Sequence, residues 1–144
     1  YVIDAIDSIR QKAALIHYCK RNKIRIITTG GAGGISDPTQ IEVKDLNKTY
    51  NEPLAANVRQ RLRSRHGFSK NPQSRCGVEC VFSTEQHLYP KEDGTVCQSK
   101  PGVKGTTLDC NWGYGSATFV TATFGFVAVS RVFRKIIEKM EREA

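Results

Sequence analysis

Asp4 and Asp7 close the apolar run that opens with Tyr1-Val2-Ile3, and they stand directly before a stretch of helical character. Carboxylates at the carboxyl end of a strand lie where open α/β sheets bind ligands. A carboxylate repels a phosphate, so a nucleotide role for Asp7 requires a bridging cation, most naturally Mg²⁺. The plainer alternative is that Asp7 satisfies backbone donors at the helix start. Cys110, in Asp109-Cys110-Asn111-Trp112-Gly113, falls between a polar loop and the glycine-flanked start of a long helix. A thiol near a helix N-terminus has a lowered pKa and is a better nucleophile, whereas a buried thiol is simply packing.

Arg59, Arg61, Arg63, Arg65, Lys70 and Arg75 form a run with no acid between Val58 and Arg75. On a helix Arg61 and Arg65 share one face, and Arg59 and Arg63 another. Such a run is either a solvated surface or a set of phosphate contacts, with RNA the favoured partner. Cys76 and Cys80 are spaced C-x₃-C, while Cys97 and Cys110 stand far apart. Structural zinc sites show two tight pairs, so this spacing argues against zinc. Cys19 reads as core packing, and His17, His66 and His87 as surface or packing residues. The run Gly30 to Gly34 suggests a phosphate loop, but it does not open a helix and no GxGxxG or Walker lysine accompanies it. Those glycines are expected to let backbone pass close to a neighbour or ligand.

The elements that must position these residues follow from period and punctuation. Residues 1–6 read as a short buried strand. Ser8 with Gln11 fits a capping box that opens a helix through Ala13-Ala14-Leu15-Ile16, and Lys20, Arg21 and Lys23 suit its negative end. Residues 24–29, rich in β-branched side chains, form a second strand, which makes one βαβ unit with a parallel strand pair. Residues 40–43 read as a further strand. Asn51 is expected to cap a helix beginning Glu52-Pro53, with Leu54, Val58 and Leu62 as its buried stripe and Gly67 as its end. Residues 78–88 look extended, residues 90–109 read as a mobile polar connection, and a long helix spans residues 116–142.

Composition sets the outer limits. The chain has 144 residues, 39% hydrophobic and 25% charged, which fits one globular domain and excludes a disordered tail, a collagen-like repeat or a coiled coil. Lys+Arg 22 against Asp+Glu 14 gives a formal charge of +8, which favours an anionic partner. Five cysteines, an odd count, fall short of a disulfide scaffold and point to a reducing cytoplasm. The least polar stretch, residues 117–129, is too short to span a membrane, so no membrane partner is expected. The chain opens at Tyr1, without Met and inside an apolar run, so a further N-terminal portion is expected upstream.

Four segments carry a resemblance: YVIDAIDSIRQKAALI, IRIITTGGAGGISDPTQIEV, GVECVFSTE and DCNWGYGSATFVTATFGFVAVS. From Tyr1 to about Lys139 the chain resembles the C-terminal part of a member of the ThiF/MoeB/HesA family, related to ubiquitin-activating enzymes, in its branch that dehydrates threonylcarbamoyladenosine in tRNA. The resemblance implies an α/β, doubly wound Rossmann-like sheet with a long C-terminal helix, as part of a larger adenylating domain. It implies a cytoplasmic homodimer that uses ATP and Mg²⁺ as a ligase-type enzyme, modifies tRNA through an acyl-adenylate, and works beside a cysteine desulfurase and sulfur-acceptor pair. A bound monovalent cation is left open. By position in the motif, Asp7 serves the metal and the triphosphate, Ser8 follows at the family's Asn/Ser position, and Lys12 takes the place of a basic residue near the nucleotide. Cys110 falls where related enzymes carry a reactive cysteine. The glycine-rich nucleotide loop of the family precedes the DAIDS motif, so this chain by itself is expected to hold half a nucleotide site and to be inactive. Adenylation of a ubiquitin-like sulfur carrier and a non-catalytic RNA-binding role are the competing readings.

Overall fold

The computed structural model describes residues 1–91, 94–98 and 115–144. Strand β1 (Val2–Asp4), helix α1 (Ile9–Arg21) and strand β2 (Ile26–Thr29) form the expected βαβ unit, with Asp4 opposite Thr28 in a parallel register. Strand β3 (Ile41–Asp45), helix α2 (Pro53–Arg65) and strand β4 (Glu79–Ser83) follow. Two short strands, β5 (Tyr89–Pro90) and β6 (Val96–Cys97), pair with each other, and helix α3 (Thr118–Glu143) ends the chain. The main sheet has the order β1-β2-β4-β3; β2 and β4 are parallel, and β3 is an antiparallel edge.

Alternation along the strands divides the core into two layers. Ile26, Cys80 and Phe82 face α1 and α2, where they meet Ala13, Ile16, Cys19, Ala55, Val58 and Leu62. Ile27 and Val81 point the other way and meet Val120, Phe124 and Ala128 of α3. The sheet is therefore covered on both faces, as parallel strands require. Arg131 on α3 grips Glu79 on β4 with Nε and Nη2, the closest contact being 2.6 Å, and ties the second layer to the sheet.

Several local expectations are corrected. Ser8 occupies the N-cap position of α1, but its side chain makes no capping bond. The cap of α2 is Glu52, whose carboxylate accepts from Leu54 N–H and Ala55 N–H. Asn51 instead has φ of 53° and donates to the Thr84 carbonyl. The longer glutamate reaches back over Pro53, which itself has no N–H to offer. Ala55, rather than Leu54, completes the buried stripe with Val58 and Leu62. Gly67, with φ of 70°, follows the end of α2 as expected. The extended run 78–88 holds regular strand only at Glu79–Ser83.

Candidate nucleotide cleft

A cleft of about 860 Å³ opens beyond the carboxyl ends of β1 and β2, the edge where α/β sheets bind ligands. Asp7 and Ser8 line it from the β1–α1 turn, and Gly30 and Gly31 from the end of β2. Glu52 and Asn57 line it from α2, and Phe124 from α3. Asp7 is exposed, so its carboxylate is open to solvent at the mouth of the cleft.

The glycine run builds one wall. Glu52 Oε1 accepts the Gly31 N–H at 3.0 Å, and a Cβ on Gly30 would lie 2.9 Å from Glu52 Cγ and Cδ. A side chain there would push against the carboxylate that caps α2, so the close approach favours glycine. Gly30 N–H donates to Val81 O at 2.8 Å, and Gly34, with φ of 68°, donates to Gly115 O at 3.1 Å. The run thus stitches β4, α2 and the segment before α3 together.

His87 and Tyr89 also line the cleft and are buried. Burial pushes the His87 imidazole below its ordinary value, opposed by Glu52, the Gly33 backbone and Glu85. Burial, then Glu52, pushes the Tyr89 phenol up. Sequence reading places His87 at the surface or in packing; the acid Glu52 and these two residues are among the parts of the cleft that it does not identify. An acid immediately before a helix-opening proline was the available signal for Glu52. For His87 and Tyr89 there was none. His17 and His66, which have no sequence relation, meet with ring centroids 4.7 Å apart where α1 packs on α2.

The other expected site residues separate. Lys12 is 1% exposed and lies behind the turn, its ammonium 2.9 Å from Asp4 Oδ2 and 2.8 Å from the Ile6 carbonyl. Arg59 donates to Leu46 O at 3.2 Å and to Thr49 Oγ1, and Arg63 donates to Asn47 Oδ1 at 3.4 Å. Burial, then the Arg63 charge, lowers the Arg59 pKa. Arg61 is half-buried, while Arg65, Lys70 and Arg75 are exposed. Cys110 and most of the expected 90–109 connection lie outside the described residues. Cys19, Cys76 and Cys80 are buried.

Magnesium takes oxygen ligands and usually binds through one or two carboxylates together with substrate phosphates. Asp7, an exposed carboxylate at the mouth of the cleft, fits that mode. Among the described residues no cluster of three or more His, Cys, Asp or Glu could hold an ion without such phosphates. No described helix is long and apolar enough to cross a membrane.

No protein-family model matches the chain. The tRNA threonylcarbamoyladenosine dehydratase of Escherichia coli (strain K12) is 59% identical over 144 residues, which is 99% of this chain and 54% of that protein. A solved structure of TcdA (CsdL) superposes with a TM-score of 0.85 at 57% identity, covering 99% of this chain and 51% of its own. The Escherichia coli enzyme solved in complex with ATP gives 0.81 at 53% identity over 100% of this chain and 50% of that one. The chain spans about half the length of the curated relatives it matches. Over that half, its sequence and its Rossmann-like α/β fold are similar to those of the tRNA threonylcarbamoyladenosine dehydratases, as the motif resemblance implied.

Proposed function

We propose that this chain forms part of an ATP-dependent enzyme that cyclises threonylcarbamoyladenosine in tRNA with net loss of water. The observation that carries the reading is the 53% identity, over the whole chain, to a dehydratase solved with ATP. The cleft at the carboxyl strand ends, with Asp7 at its mouth, supports it.

In the proposed reaction an oxygen of the threonyl carboxylate attacks the α-phosphorus of ATP. The bond to the bridging oxygen breaks, and pyrophosphate leaves. The carbamoyl group then attacks the activated carbonyl, a ring closes, a proton is released, and AMP departs with the bonding electrons. Magnesium, when bound with the nucleotide, neutralises charge on the phosphates. Asp7 would hold its carboxylate toward that charge, and Ser8 would line the same end. Gly30 and Gly31, drawn in by Glu52, would bring bare backbone close to the reactants, and the α3 layer would keep water from that side. Exposed basic side chains at the end of α2 and beyond it would hold tRNA phosphates. A cytoplasmic homodimer completes the reading.

ATP–pyrophosphate exchange in the full-length protein, with modified tRNA present, tests it. Asp7→Ala is expected to abolish exchange and leave tRNA affinity within about twofold, since removing a transition-state contact spares uniform binding. Normal exchange in that variant would defeat the assignment.

A further inference from the structure

Asp7 stands on the short turn that follows β1, and both backbone polar atoms of the residue before it are held from below. Asp4 Oδ1 accepts the Ile6 N–H at 3.0 Å, and Lys12 Nζ donates to the Ile6 carbonyl at 2.8 Å. The two side chains are bound to each other at 2.9 Å, with side-chain exposures of 2% for Lys12 and 0% for Asp4. Asp4 Oδ2 also accepts from Thr28 Oγ1 at 2.6 Å, across the β1–β2 register. The peptide unit on either side of Ile6 is thus fixed to α1, through Lys12, and to β2, through Thr28.

A buried ion pair contributes little net stability compared with apolar residues of the same shape, because both charges lose their hydration. Its value lies in direction: the ammonium and the carboxylate accept only a few geometries, and here those geometries define the backbone that carries Asp7. We infer that Lys12, Asp4 and Thr28 are positioning residues that act on the nucleotide through Ile6 and Asp7, and that Lys12 does not contact the nucleotide itself. The functional half of this inference rests on the adenylation reading; the structural half does not.

Three variants of the full-length protein separate the possibilities: Lys12→Met, Lys12→Arg and Thr28→Val. Amide hydrogen exchange is followed at Ile6 and, as internal controls, at Ile27 and Val81 in the centre of the sheet. Lys12→Met and Thr28→Val are expected to speed exchange at Ile6 by about tenfold or more while the controls hold, because only the local turn is released. In ATP–pyrophosphate exchange the same variants should lower kcat by roughly tenfold and leave KM for ATP within about threefold, with partial recovery in Lys12→Arg. AMP affinity measured by calorimetry should stay close to that of the parent, whereas direct nucleotide contact by Lys12 would weaken it.

Unchanged Ile6 exchange in Thr28→Val and Lys12→Met overturns the clamp. Faster Ile6 exchange with unaltered kcat overturns its role in function. Should Lys12→Met lose protection at Ile27 and Val81 as well, Thr28→Val decides, since it leaves the ion pair in place. A parent protein that performs no exchange of ATP with pyrophosphate defeats the adenylation reading and the functional role together, and Ile6 protection then decides the clamp alone.

Discussion

Glu52 accepts three backbone N–H groups, from Gly31, Leu54 and Ala55, and so joins the end of β2 to the start of α2. Truncation to Ala removes a helix cap and leaves the Gly31 donor without its acceptor. The cap alone is worth about 1 kcal/mol, and the part-buried Gly31 donor, which water reaches from the cleft, adds about 1 kcal/mol at most. Denaturant melts of Glu52→Ala should therefore show a loss of roughly 1–2 kcal/mol; a midpoint like that of the parent would mean that the wall stands without it. Thiols give a second residue-level test. Burial, then the Asp45 carboxylate, pushes Cys76 up to about 11, and burial moves Cys80 in the same direction. The folded state keeps both protons where the unfolded chain releases them, so this contribution is whole below the unfolded thiol pKa. It is lost as pH rises toward the folded values. Stability measured from about pH 7 to about pH 10 should fall at the alkaline end, and Cys76→Ala should flatten part of that fall.

Among the elements, α2 divides the basic run between two jobs. Its helical turn sends Arg59 and Arg63 onto the 46–49 segment, where they bond Leu46, Thr49 and Asn47. Arg65, at the end of the helix, and Lys70 and Arg75 beyond it face solvent. The proposed tRNA surface therefore centres on those three, and the expected six-residue patch narrows. Alanine at Arg65, Lys70 or Arg75 should weaken tRNA binding and lower the slope of log affinity against log salt by about 1 for each phosphate no longer engaged. Arg59→Ala should lower the melting temperature and leave that slope unchanged. A salt slope insensitive to Arg65, Lys70 and Arg75 together would place the RNA elsewhere.

For the molecule as a whole, α3 presents two faces. Val120, Phe124 and Ala128 are buried on the sheet, whereas Phe119, Phe126, Val129, Phe133, Ile136 and Met140 are exposed. Phe119, Phe126, Phe133 and Met140 recur every seven residues, with Ala122, Val129 and Ile136 between them, which is the a/d spacing of a helix that packs lengthwise on another helix. An a/d seam packs on a matching apolar helix, and a second copy of the chain is the proposed occupant, in keeping with the homodimer reading. Light scattering of the full-length protein should give a dimer mass, and Phe126→Glu with Phe133→Glu a monomer. A dimer that survives both charges would put the interface on another surface.

Much of this was readable from residue order. The βαβ opening, the two following strands, α2 and α3 follow from apolar period and from local punctuation such as Glu52-Pro53 and Gly67, because those signals act over a few neighbouring residues. The same is true of the motif DAIDS, in which Asp7 falls just past the strand end and before the helix. Tertiary structure alone decided what depends on distant partners. Lys12 meets Asp4 and Ile6, Gly31 meets Glu52 across 21 positions, and His87 enters the cleft from a segment with no periodic signal. Period states which face a residue takes; only the packed chain determines what waits opposite that face, and in this cleft the occupant opposite is what gives each polar group its task.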